Sequence, residues 1–170
     1  MLARGSRAAC SATAKRHHRD HAQGLRSAPV ATIFTRIING EIPGRFLWRD
    51  ERAVAFLDVR PLSPGHTLVV PIAEVDLWTD LPADDASHLM TVAHAIGNAQ
   101  RRVFDAPRVG LMIAGFEVPH VHLHVMPVHS MQQFDFRNAD TSPDQAALDR
   151  HAEDLRAALR DAGHAATVPA

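Results

Sequence analysis

The sequence predicts an α+β domain: a mainly antiparallel sheet with a long helix and a C-terminal helix packed on it. Three observations point there. Five short apolar segments, bounded by Gly, Pro, Asn and Asp, read as strands. The stretch Ala83–Phe104 repeats its apolar residues at three- and four-residue steps, the signature of a helix with one buried face. The order along the chain (helix, three strands, helix, two strands, helix) suits an antiparallel sheet with helices laid against it.

Each element has its own local cause. Ile33, Phe34, Ile37 and Ile38 have helical spacing, and Asn39-Gly40 stops the turn. Phe46–Arg49 is a short strand, and Asp50-Glu51 turns the chain into Ala53–Asp58, with Val54 and Phe56 on one face. Pro61, Pro64 and Gly65 force a loop, after which His66–Val70 extends as far as Pro71. The long helix carries Asp84 and Asp85 in its first turn and Arg101 and Arg102 in its last, as the helix dipole favours. Its apolar stripe is Leu89, Val92, Ala93, Ile96 and Val103. Val109–Ile113 and His120–Val128 read as the last two strands. Ser142-Pro143-Asp144 starts a final helix with Pro at its first position, running to about Leu159 with Leu148, Leu155 and Leu159 on one stripe. Trp48 and Trp78 read as packing residues. Met131, Phe134 and Phe136 either close over a pocket or pack on the body.

Composition narrows the function. The 170 residues are 46% hydrophobic and 22% charged, a globular balance, and no apolar run approaches the ~18 residues that cross a bilayer, so no membrane partner is expected. The single cysteine, Cys10, excludes a disulfide framework. The net charge of −1 hides an asymmetry: residues 1–31 hold six Lys and Arg against Asp20 alone, whereas the rest holds 12 Arg against 18 acids. An acidic domain of this kind is not expected to bind nucleic acid. The domain is expected over residues 32–165. Residues 1–31 have three readings: a disordered tail, a mitochondrial transit peptide (Arg-rich, Ser-containing, acid-poor), or a mis-called translation start. The first and last imply a cytoplasmic protein, the second a mitochondrial one.

Histidine is over-represented, with 12 copies, and three of them lie in His120-Val121-His122-Leu123-His124-Val125-Met126-Pro127. On a strand, residues two apart share a face at about 6.5 Å. His120, His122 and His124 therefore form one row, with Val121, Leu123 and Val125 on the other face. Two chemistries suit such a row. Neutral imidazoles are good zinc ligands. Imidazole also titrates near neutrality, so one ring can attack phosphorus while its neighbours stabilise the phosphoryl oxygens. Spacing alone does not separate the two.

The segment His120–Met126 resembles the His-φ-His-φ-His-φ-φ signature of the histidine triad (HIT) family, in its Hint-like branch. Ile33–Pro43, Ala55–Val59 and Pro64–Pro71 are similar to that family's N-terminal segment and central strands, so the likeness spans about residues 32–130 in order. The resemblance implies a HIT-like α+β fold and a homodimer joined through the long helix and the fourth strand. It also implies a small-molecule nucleotide substrate, cleaved at the α-phosphorus of a nucleoside phosphoramidate or dinucleoside polyphosphate. By position, His122 is the nucleophile that forms a nucleotidyl-histidine. His120 and His124 flank it and hold phosphate oxygens, and His66 hydrogen-bonds its other ring nitrogen. Asp58 binds the ribose hydroxyls, and Ile33, Phe34, Ile37, Phe56 and Val59 form the apolar wall around the base.

The likeness breaks in places. Thr32 and Thr35 stand where many Hint-like proteins have a Cys-x-x-Cys that helps bind zinc, so that metal site is expected to be absent. The family's usual Gln and small hydroxyl residue before the triad are Phe116 and Glu117 here. Glu117 either faces away, acts on the leaving group or the attacking water, or joins the histidines around a zinc ion. No cofactor is required by the phosphoryl-transfer reading. The alternative is a nucleotide- or zinc-binding protein with little catalysis, its zinc on the histidine row.

Overall fold

The computed structural model describes residues 31–169, so the three readings of the N-terminal segment fall outside the described residues. The elements are α1 (Ile33–Ile38), β1 (Phe46–Arg49), β2 (Ala53–Leu57), β3 (Thr67–Pro71), α2 (Ala83–Val103), β4 (Arg108–Met112), β5 (Leu123–Val128) and α3 (Gln145–Leu159). Short 3₁₀ turns lie at Trp78–Asp80, Met131–Phe134 and Phe136–Asn138, and one π-type turn, Arg160–His164, extends α3. The strands form one sheet in the order β1-β2-β3-β5-β4, every neighbouring pair antiparallel. The α+β class and the antiparallel sheet are therefore as predicted.

The sheet is buried on both faces at its centre. Leu47, Val69, Val121, Leu123 and Val125 meet Leu89, Val92 and Ile96 of α2 and Leu148, Leu155 and Leu159 of α3. On the opposite face Val54, Phe56, Leu68 and Val70 pack against Phe34, Ile37 and Ile38 of α1. Thr32 caps α1, its hydroxyl accepting the Thr35 N–H at 3.2 Å. Gly65 has φ +80°, and a Cβ there would lie 2.2 Å from the Phe104 ring, so this turn into β3 accepts no side chain.

Three differences from expectation stand out. β5 begins at Leu123, not His120. Upstream, the His120 N–H turns back onto the Val118 carbonyl (2.8 Å) and the Val121 N–H onto that of Val75 (2.7 Å), so the backbone leaves the β3 ladder there. Side-chain alternation nevertheless continues, because Val121 stays in the α2-facing core. α3 is capped by Asp144, which accepts the Ala146 N–H, so Pro143 precedes the cap rather than opening the helix. Trp78 is exposed, unlike the buried Trp48: its 3₁₀ turn stands off the sheet.

Candidate active site

The histidines converge on the α1 side of the sheet. The rings of His122 and His124 lie edge to face at 4.8 Å, and Phe34 stands edge-on to His122 at 4.9 Å. His124 is held in register by β3 and β4, where it pairs with Leu68 and Met112.

Backbone groups have fixed donor and acceptor roles, and these set the tautomers. The Nδ1 of His122 lies 2.7 Å from the His120 carbonyl oxygen, which only accepts, so Nδ1 carries the proton. Its Nε2 then holds a lone pair, with no protein partner among the described residues. The Leu62 N–H donates to His66 Nδ1 at 3.1 Å, so the proton of His66 sits on Nε2. That Nε2–H donates to His124 Nδ1 at 3.0 Å, which leaves His124 with its proton on Nε2. The site thus offers one imidazole lone pair beside one imidazole N–H donor.

Burial favours the neutral forms of His66, His124 and His120. Desolvation, reinforced by the His122 ring, pulls His66 down to about 4. Desolvation, with His66 and His122 acting in the same direction, pulls His124 down to about 3. Burial likewise lowers His120, opposed by its hydrogen bond to Pro71 and by Glu74.

Two expected roles are corrected. His66 does not hydrogen-bond the other nitrogen of His122; the His120 carbonyl takes that place, and His66 is bonded to His124 instead. The His120 ring does not hold phosphate oxygens. It is fully buried, its Nε2–H donates to the Pro71 carbonyl at 2.9 Å, and its Nδ1 accepts from the Thr32 hydroxyl at 2.9 Å. Thr35 in turn donates to Glu74. Thr32 thus ties the start of α1 to His120, and Thr35 ties the helix to Glu74.

A cavity of about 80 Å³ opens in front of the pair, lined by Phe34, Asp58, Leu68, Val118, His122 and His124. Of the predicted base wall only Phe34 lines it. Ile37 and Phe56 lie in the core beneath, since both point into the α1–sheet cluster. Ile33 and Val59 are exposed and do not line it: Ile33 is one helical step around from Phe34, and Val59 lies in the turn past β2. Asp58 Oδ1 accepts the Arg60 N–H at 2.9 Å. Burial raises the Asp58 carboxyl above the usual range, with the Arg60 contacts opposing. Glu117 is at the rim, its carboxylate held by Arg60 at 3.1 Å, so it neither turns away nor faces the histidines unpaired.

Sequence reasoning missed Arg60, Leu68, Val118 and Ala139, which line the cavity, and Gln100. Gln100, on α2 and fully buried, donates through Nε2 to the carbonyls of Gly65 and Val125, both at 2.9 Å. These flank His66 and His124 in sequence, so one amide pins both strands from the far face of the sheet. A polar residue on the buried stripe of a helix was the available signal. Phe136 does close on the site, edge-on to His124 at 5.0 Å, whereas Phe134 packs against Gly110.

The side chains that approach one another closely enough to share a metal ion are Asp58, His66 and His124, not the predicted row. They fit an ion poorly. His66 Nδ1 is already occupied by the Leu62 N–H, and the nitrogens facing each other are bonded to one another. The row fares no better, because His120 uses both nitrogens elsewhere and His122 Nδ1 is held by a carbonyl.

Residues 39–131 match the HIT domain model. The chain is 37% identical over 99 residues to an uncharacterised HIT-like protein of Methanocaldococcus jannaschii, covering 56% of this chain and 77% of that protein. It is 33% identical over 106 residues to the adenosine 5′-monophosphoramidase of Saccharomyces cerevisiae, covering 59% and 67% respectively. The fold aligns with a zinc-bound histidine triad family protein from Mycobacterium smegmatis at a TM-score of 0.66 and 31% identity, over 78% of this chain and 96% of the other. With the domain matched over more than half its length and its histidines gathered on one face of the sheet, the chain belongs to the histidine triad family.

Proposed function

We propose that the protein is a nucleotide hydrolase or nucleotidyltransferase that cleaves at the α-phosphorus of nucleoside phosphoramidates or dinucleoside polyphosphates. The observation that carries this reading is the His122 ring in the cleft lining, with its Nδ1–H held by the His120 carbonyl and its Nε2 without a protein partner among the described residues, beside His124. The monophosphoramidase relative supports the substrate class.

In the first half-reaction His122 Nε2 bonds to phosphorus as the bond from phosphorus to the leaving nitrogen or oxygen breaks; a leaving amine takes its proton from solvent. The resulting imidazolium keeps its Nδ1–H on the His120 carbonyl. Negative charge gathers on the phosphoryl oxygens, where the neutral His124 serves as a hydrogen-bond donor rather than an acid. Water then attacks phosphorus and gives its proton to solvent, and His122 leaves with its lone pair restored. Asp58 accepts ribose hydroxyls. No step runs through a metal ion.

We also propose a homodimer. β4 is one of the two sheet edges, and a mostly apolar groove of about 330 Å³ runs between it and α2, lined by Met90, Ala93, Gly97, Val109 and Leu111. A second copy covering this groove would continue the sheet across both chains; light scattering at micromolar concentration tests it, and a monomer would contradict it.

The function is tested by turnover of an adenosine 5′-phosphoramidate. Wild type releases AMP, and His122→Ala loses at least 10³-fold, the scale of a lost nucleophile (~10³–10⁶). Nucleotide binding without turnover would make this a binding protein, and equal rates in both would end the nucleophile assignment.

A further inference from the structure

A second cleft, of about 120 Å³, reaches the same two histidines. It shares His122, His124, Glu117 and Phe136 with the first cavity and continues along Ala114, Gly115 and Phe116. The first cavity runs instead toward Asp58, Phe34 and Leu68. In-line displacement at phosphorus sends the leaving group out opposite the attacking His122 Nε2, with the nucleoside oxygen equatorial. With the nucleoside on the Asp58 side, the second cleft is the other space beside the two histidines open to the departing group.

Its walls carry two aromatic rings. Phe116 is 97% exposed, the most solvent-laid large apolar side chain among the described residues. Phe136 is partly exposed and already edge-on to His124. A phenyl ring left in water beside reacting groups is an aromatic face without a partner, and rings gain most from other flat rings. The volume suits a single ring: a cavity of roughly 150 Å³ accommodates benzene.

Building on the hydrolase reading above, we propose that Phe116 and Phe136 form a leaving-group subsite that selects substrates whose departing amine carries a flat aromatic ring. The subsite holds the ring while the phosphorus–nitrogen bond breaks to His122. The released arylalkylamine takes its proton from solvent at the open end of the cleft.

The experiment compares kcat/KM for the adenosine 5′-phosphoramidates of 2-phenylethylamine and 2-cyclohexylethylamine, which match in reach and apolar character and differ in flatness. Wild type favours the phenyl substrate about tenfold, the scale of one aromatic contact. Phe116→Leu and Phe136→Leu, which keep apolar bulk, bring the ratio within about twofold of unity, and Phe116→Trp retains the preference. Turnover of both substrates at a wild-type ratio near one, or a ratio untouched by both leucine variants, overturns the subsite while leaving the hydrolase reading in place. Turnover of neither substrate overturns the subsite; the hydrolase reading falls with it only if unsubstituted adenosine 5′-phosphoramidate is also left intact.

Discussion

The Nε2 of His66 stands 3.0 Å from the Nδ1 of His124, and this contact fixes which nitrogen of His124 faces the cleft. Because the Leu62 amide has already taken His66 Nδ1, only one arrangement of protons satisfies all the partners. His66→Ala removes the donor and frees His124 to present either nitrogen. The expected result is a fall in kcat of ~10- to 100-fold with little change in KM, since the lost interaction counts most on the phosphoryl charge of the transition state. Steady-state kinetics checks it; a change in KM alone would place His66 in binding instead.

The same two rings make stability pH-dependent. In the unfolded chain each protonates near 6.5, but in the fold His66 does so only near about 4 and His124 near about 3. Between these values the unfolded chain binds more protons, so stability falls as pH drops from about 6.5 toward 3. Urea midpoints measured from neutral pH to pH ~4 fall steadily in wild type and less steeply in His66→Gln. A flat wild-type profile would contradict the buried neutral pair.

Gln100 holds the carbonyls beside both of those histidines from the opposite face of the sheet. Gln100→Leu preserves the apolar surroundings but takes this donor from two buried carbonyls; the Gly65 carbonyl keeps the Thr67 hydroxyl at 2.8 Å, so the expected cost is about 1 kcal/mol, the scale of one lost hydrogen bond. Denaturant unfolding measures the loss, and a neutral substitution would show that other groups satisfy these carbonyls.

Arg60 and Glu117 form an exposed ion pair at the rim, so the pair itself is worth at most ~1 kcal/mol. Its effect falls on the ligand. Glu117→Gln removes a negative charge from the lining of both clefts and frees the Arg60 guanidinium. AMP should bind roughly two- to fivefold more tightly at low salt, with the gain shrinking in ~0.5 M salt. Calorimetry at the two salt concentrations tests this; weaker binding would show that Glu117 itself contacts the nucleotide.

What the sequence revealed were local regularities. The period-two run Val121, Leu123, Val125 placed three histidines on one face even where the ladder stops, because alternation depends on extended backbone and not on pairing. The periodic stripe of α2 and the dipole-matched charges at its ends were visible for the same reason. The His66–His124 contact joins residues 58 apart through strand register, which no local pattern encodes. The engagement of the His120 ring by Thr32 and Pro71 depends likewise on where α1 and the end of β3 come to rest. Ile33 and Val59 were apolar and lay at the ends of matching segments, yet one helical step and one turn set them outside the cavity lining. Gln100 was in plain view as a polar residue on a buried stripe, but its partners lie on two strands distant in sequence.

The most direct test is rapid acid-free quenching of the enzyme with an adenosine 5′-phosphoramidate, followed by intact-mass and peptide mass spectrometry. The account predicts a transient adduct of one adenylyl group on the peptide containing His122, absent from His122→Ala. Undiminished turnover by His122→Ala, with no adduct on wild type, would contradict it.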